Sequence, residues 1–212
     1  MTPIHSVLLR QFDWIDHGFG TRNNGAWTPQ EHTARAHQVH AAGVIEATGP
    51  GHWGDGDALI TAMPGLWLEI RTADCVPLLF LDARTRVIAA VHAGWRGTAA
   101  QIASVTVEAM ARNWNSNPSD LRVAIGPCIA SCCFAVGTEV ADQFPDFVVR
   151  TEPQPYVDLV SANFRQLLDA GVPANQVDQL GLCTVCDPHR FHSFRRDRGE
   201  GRLVSAIQVG KK

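Results

Sequence analysis

The chain has 212 residues and a formal net charge of −3, a length that suits one large domain or two small ones and buries a substantial core. That charge gives no footprint for nucleic acid or an anionic membrane. No run approaches the ~18 consecutive apolar residues of a membrane helix.

In chain order, residues 1–20 carry two short apolar patches. They lack the basic, apolar and small-residue blocks of a secretory signal, so the expected compartment is the reducing cytoplasm. There the six cysteines are expected as thiols or metal ligands rather than disulfides. The first patches end in the turn-rich run His17-Gly18-Phe19-Gly20-Thr21-Arg22, and residues 23–36 are polar and aperiodic, a loop. His37 and His40 follow, three apart, on one helix face or in a strand; Gly49 to Gly56 then separates them from a strand at Asp57 to Thr61. Trp67 to Arg71 predicts a second strand, with Leu66, Leu68 and Ile70 on one face and Trp67, Glu69 and Arg71 on the other. Val76 to Leu81 and Val87 to Val91 are short and β-prone, and the polar residues 82–86 between them predict a hairpin. Antiparallel pairing there brings Cys75 and His92 to one end. The best helical spacing in the chain runs from Thr98 to Trp114, stopped by Asn115 to Pro118. Its first turn follows the loop Gly94-Trp95-Arg96-Gly97, which offers a guanidinium and free backbone N–H groups to an anion. Leu121 to Ile125 predicts a buried strand, and Glu139 to Phe144 and Leu159 to Ala170 predict helices, the second closed by Gly171. Val177 to Cys183 and Leu203 to Val209 predict the last strands. No repeat or linker interrupts the chain, and elements mix without strict alternation. The expectation is one α+β domain over 1–212 with a largely antiparallel or mixed sheet.

A thiol and an imidazole at one end of a sheet are two-thirds of a catalytic zinc site, or a nucleophile and its base. The third ligand is open among His37, His40, His52 and the C-terminal histidines. With two imidazoles and one thiolate, Zn²⁺ lowers the pKa of bound water toward ~7. Cys183-x-x-Cys186 is a lone CxxC, and Cys128, Cys132 and Cys133 match no ligand spacing, so these five are expected as core or loop thiols. Arg195-Arg196-Asp197 reads as a structural ion-pair cluster. No His-x-His pair of a conventional laccase occurs.

ADC (73–75), HAGWRG (92–97), GPCI (126–129) with CC (132–133), and CTVCDPHRFHSFRRD (183–197) resemble the motifs of the YfiH family (DUF152). Its members are also called laccase-domain or multicopper polyphenol oxidase proteins and, in bacteria, peptidoglycan editing factor. HGFGTR (17–22) and QVH (38–40) match its N-terminal motifs. The resemblance implies a four-layer α/β/β/α sandwich with mixed sheets, similar to a cysteine-hydrolase toxin domain. It also implies a zinc site of His40, Cys75 and His92. Expected with it is a purine nucleoside enzyme, a phosphorylase or adenosine deaminase, as a monomer or small homo-oligomer taking nucleoside and phosphate. Asp74 would orient a ligand or shuttle a proton, and Arg22 or Arg96 would hold phosphate. The alternatives are a muropeptide amidase with Cys75 as nucleophile, or a copper-dependent phenol oxidase. Two departures touch the substrate pocket. The stretch between Arg22 and Gln38 is short, and Cys133-Phe134-Ala135-Val136 replaces the family's C-Y-E-V.

Overall fold

The computed structural model describes residues 2–152, 154–199 and 201–210. In chain order the strands begin with β1 (Ile15–Phe19), β2 (Thr33–His37), β3 (Val44–Glu46), β4 (Gly51–Asp55), β5 (Ala58–Thr61) and β6 (Trp67–Thr72). The central hairpin β7 (Val76–Asp82) and β8 (Ile88–Ala93) leads into helices α1 (Trp95–Ala99) and α2 (Ile102–Trp114). Then come β9 (Leu121–Ile125), α3 (Thr138–Ala141), β10 (Val148–Thr151), β11 (Gln154–Val157), α4 (Leu159–Asp169), β12 (Val177–Gln179), α5 (Phe194–Asp197) and β13 (Leu203–Val209).

Two mixed sheets result. One runs β12-β9-β7-β8-β5-β3, the other β1-β13-β6-β2-β4, and β10-β11 forms a separate hairpin. Pairs β2–β4, β2–β6, β3–β5 and β9–β12 are parallel and the others antiparallel. Alternation along β7 explains how the sheets stack. Val76, Leu78 and Phe80 pack with Val107, Met110 and Leu167 of α2 and α4. Leu79 and Leu81 point the other way, against Leu68, Ile70 and Ile207 of the second sheet. Both faces of β7 are therefore buried, as its continuous apolar run requires.

The outer face of the second sheet carries Trp67, Val204 and Ala206, covered by Trp27. Trp27 meets Trp67 edge-to-face and donates its indole N–H to Val204 O at 3.1 Å. The fourth layer of the sandwich is thus the short segment after Arg22, with a single 3-10 turn at Gln30–His32 and no α-helix of its own.

The hairpin forms as its sequence predicts, with Pro77 opposite His92. The predicted helix from Thr98 to Trp114 is instead two helices, because Gln101 adopts a left-handed φ of 63° between them. The predicted strand from Val177 ends at Gln179, so Cys183 lies in a loop. Among the described residues no helix is long and apolar enough to cross a membrane.

Candidate metal centre

His40, Cys75 and His92 offer ligand atoms within 4.8 Å of one another. His92 leaves β8 and Cys75 precedes β7, as the hairpin register dictates. His40 comes from the loop after β2, where it holds a left-handed φ of 60°. Neither a helix nor a strand presents it. Gln38 pins this loop by mimicking a strand partner of Arg71: its amide donates to Arg71 O at 2.8 Å and accepts from Arg71 N at 2.8 Å.

Asp57 joins the two imidazoles. Its buried carboxylate accepts from His92 Nδ1 at 2.7 Å and from the backbone N–H groups of Val39, His40 and Ala41 at 3.2, 3.0 and 2.8 Å. One carboxylate therefore sets the His92 ring and the loop that carries His40. With Nδ1 donating to Asp57, Nε2 is left for a metal, the orientation commonly found in ligating histidines. The two rings stand edge-to-face, centroids 4.8 Å apart. The glycines of HAGWRG serve close approach. A Cβ on Gly94 would sit 3.1 Å from His40 Cδ2 and 3.2 Å from Cys75 Sγ, and one on Gly97 would sit 2.9 Å from Ala41 O.

Burial opposes ionisation of the Cys75 thiol, but hydrogen bonds and charge from His40 and His92 bring its pKa down to about 7. Burial likewise opposes protonation of His92, while Asp57 and Cys75 raise it to about 9. A softened thiol beside two imidazoles is a donor set that fits Zn²⁺ with an open position. His92 is buried, Cys75 half-buried and His40 exposed, so the open side lies toward His40.

That side is a cleft of about 440 Å³, walled by Gln38, Arg71, Thr72, Phe194 and Arg202 besides His40, Cys75 and His92. A cleft of about 510 Å³ between α1 and α4 is larger, but neither a thiol nor an imidazole lines it.

The remaining candidates fall elsewhere. His37 pairs with Asp55 at 2.8 Å on the surface, and His52 lines a separate cleft. Arg96 is exposed, its guanidinium 4.2 Å above the Trp95 ring, and does not line the metal cleft. Arg22 is exposed too, donating to Pro188 O through its side chain and to Arg190 O through its backbone N–H at 2.8 Å. The cations in the cleft are Arg71 and Arg202, neither singled out by any motif. Asp74 commits both oxygens to the C-terminal segment: Thr184 Oγ1 donates at 2.6 Å, Ser193 Oγ at 3.1 Å and Arg195 N at 2.6 Å. The Arg195-Arg196-Asp197 cluster is structural, as expected. Arg196 donates to the carbonyls of Thr184, Val185 and Phe191 and pairs with Asp197.

Comparison with known proteins shows the family of the chain. Residues 21–210 match the sequence model of the multi-copper polyphenol oxidoreductase laccase family. A purine nucleoside phosphorylase of Deinococcus radiodurans is 42% identical over 186 residues, 84% of this chain and 71% of that protein. Adenosine deaminase RL5, from an unknown prokaryotic organism, is 38% identical over 161 residues, 71% of this chain and 61% of its own. The chain thus spans roughly two thirds of the length of these two relatives. The crystal structure of YlmD from Geobacillus stearothermophilus superposes with a TM-score of 0.89 at 30% identity, covering 94% of this chain and 93% of that one. This chain belongs to the laccase-domain (YfiH) family.

Proposed function

We propose that this chain is a zinc-dependent enzyme acting on purine nucleosides, with His40, Cys75 and His92 as the metal ligands. The observation that carries the reading is the convergence of these three donors on a cleft that also holds two arginines and an aromatic side chain. Relatives bearing the names purine nucleoside phosphorylase and adenosine deaminase support the substrate class. Bound zinc supplies a Lewis acid and an activated water near neutral pH.

The chain's own groups do the rest. In phosphorolysis a phosphate oxygen attacks C1′, the C1′–N9 bond breaks and the purine leaves. Arg71 and Arg202 hold that phosphate against the sugar. Phe194, exposed at the edge of the cleft, stacks on the base. Asp74 acts as a positioning residue, since its bonds to Ser193 and Arg195 hold Phe194 between them. Arg22 fastens the 188–190 segment rather than binding phosphate. In deamination a water oxygen adds at C6 and ammonia leaves.

Purified protein incubated with adenosine and phosphate, with and without chelator, tests the reading. Adenine with ribose 1-phosphate, or inosine, is expected only without chelator, and His40→Ala abolishes both activities. No product from metal-replete protein overturns it.

Cys75, His92 and Asp57 also line up as nucleophile, base and orienting carboxylate, the geometry of a cysteine amidase. That reading predicts hydrolysis of a muropeptide amide that survives chelation and is lost on alkylating Cys75. Copper in place of zinc predicts oxygen uptake on phenols.

A further inference from the structure

Four of the six cysteines meet at a second point. Cys132 and Cys133 come from the turn after β9, and Cys183 and Cys186 from the loop after β12. Their sulfurs lie close together: Cys132–Cys133 at 3.6 Å, Cys132–Cys183 at 3.9 Å, Cys132–Cys186 at 3.7 Å and Cys133–Cys186 at 3.4 Å. All four ligand atoms fall within 4.8 Å of one another. These separations are far longer than the ~2.05 Å of a disulfide. They match the edges of a tetrahedron around one ion: with Zn–S of ~2.3 Å, the S–S edge is ~3.8 Å.

We propose that Cys132, Cys133, Cys183 and Cys186 form a second zinc site, structural and fully closed by four thiolates. Each thiol that is still protonated releases its proton to solvent as zinc binds. Soft sulfur donors in tetrahedral array select zinc or iron over harder divalent ions. The backbone anticipates thiolate at Cys183: Ala130 N donates to its sulfur at 3.5 Å, and the amides of Val185 and Cys186 also hydrogen-bond it. The ion would staple two loops that hydrogen bonds already bring side by side, Cys128 N to Leu182 O at 3.2 Å and Thr184 N to Cys128 O at 2.9 Å. Thr184 in turn donates to Asp74, the neighbour of Cys75. The second ion thereby braces the wall of the first site without touching its cleft.

Elemental analysis of the full chain, purified with reductant and zinc, tests the assignment. Two zinc ions per chain are expected for the parent, one for His40→Ala and one for Cys186→Ser. Because His40→Ala leaves the four cysteines intact, failure of this site and failure of the catalytic reading separate cleanly. Cobalt in the His40→Ala variant should give the intense visible and near-ultraviolet bands of tetrahedral thiolate coordination. Should Cys186→Ser not fold, alkylation mapping of the parent decides: these four thiols should react only after chelation. A single zinc lost entirely in His40→Ala, a red iron-loaded site, disulfides among the four cysteines, or thiols alkylated equally before chelation would each overturn the proposal.

Discussion

Asp57 receives four donors on two oxygens, His92 Nδ1 and His40 N on Oδ1 and the Val39 and Ala41 amides on Oδ2. Burial works against its charge, yet the bonds from His92 and from these backbone amides keep its carboxyl below the usual range. Asp57→Asn has nearly the same shape but exchanges an acceptor oxygen for an NH₂. Wherever the amide turns, a donor then faces donors. Either His92 loses the partner that fixes its Nδ1–H tautomer, or the His40 loop loses both the Val39 and Ala41 bonds. Changes to such orienting groups typically cost 10–100-fold in metal affinity. The expected result is zinc binding at the His40 site weaker by ~10–100-fold, read by competition with a chromogenic chelator. Affinity equal to the parent's would show that Asp57 does not organise the ligands.

At the scale of elements, Glu69 on β6 ties three pieces of chain together. Its carboxylate is fully buried and accepts a bidentate pair from Arg35 of β2 at 2.8 Å each, Arg71 Nε of its own strand at 2.9 Å and Thr28 Oγ1 of the covering segment at 2.6 Å. Glu69→Gln leaves the nearly buried Arg35 without a counter-charge, while half-exposed Arg71 can turn to water. A loss of about 3 kcal/mol is expected, the low end for breaking a buried pair, seen in urea unfolding as a lower midpoint with an unchanged slope. Strands such as β2 and β4 also mark the limit of what periodicity reveals. Their sequences, Thr33–His37 and Gly51–Asp55, are polar or glycine-rich and owe their strand form to pairing, β2 with β6 and β4 with β2. By contrast β7 and β8 are legible because both faces are apolar and a polar turn joins them. Within the site, Cys75 and His92 follow from that hairpin alone. His40 does not, since its placement depends on a left-handed residue in a loop and on a carboxylate distant in sequence. The four-cysteine cluster escapes sequence reading for the same reason: each half is a weak local pattern, and only tertiary packing joins loops about fifty residues apart. Arg71 and Arg202 reach the cleft in the same way, through the adjacency of β6 and β13.

At the scale of the whole molecule, strands far apart in sequence pair: β1 lies along β13, and Ile4 bridges to Phe19. His17 on β1 is buried, with Nε2 accepting from Ser6 N at 3.0 Å and its ring edge-to-face with His5. Burial is the main force against a proton on this ring, and the charges of His5 and Arg10 add to it, so the pKa falls from 6.5 to about 4. An unfolded chain binds this proton near pH 6.5 and the folded chain only near pH 4. Between those values the unfolded state holds more protons, so acid favours unfolding. The contribution of His17 is present in full above pH ~6.5 and is lost as pH falls toward ~4, on the order of 3 kcal/mol in total. Carboxylates with lowered pKa values, Glu69 and Asp82 among them, lose their contributions in a lower window, beginning near their unfolded values of about 4. The two windows separate by experiment. Urea unfolding of the parent and of His17→Gln, both with chelator so that metal loss is common to each, should show the parent losing more stability than the variant between about pH 6.5 and 4.5. The glutamine in that variant offers its side-chain carbonyl to Ser6 N but takes up no proton, so its curve is shallower than the parent's in that interval, where His192, lowered by its own burial, contributes equally to both. Parallel curves over the whole range would mean that His17 is protonated as easily in the fold as outside it.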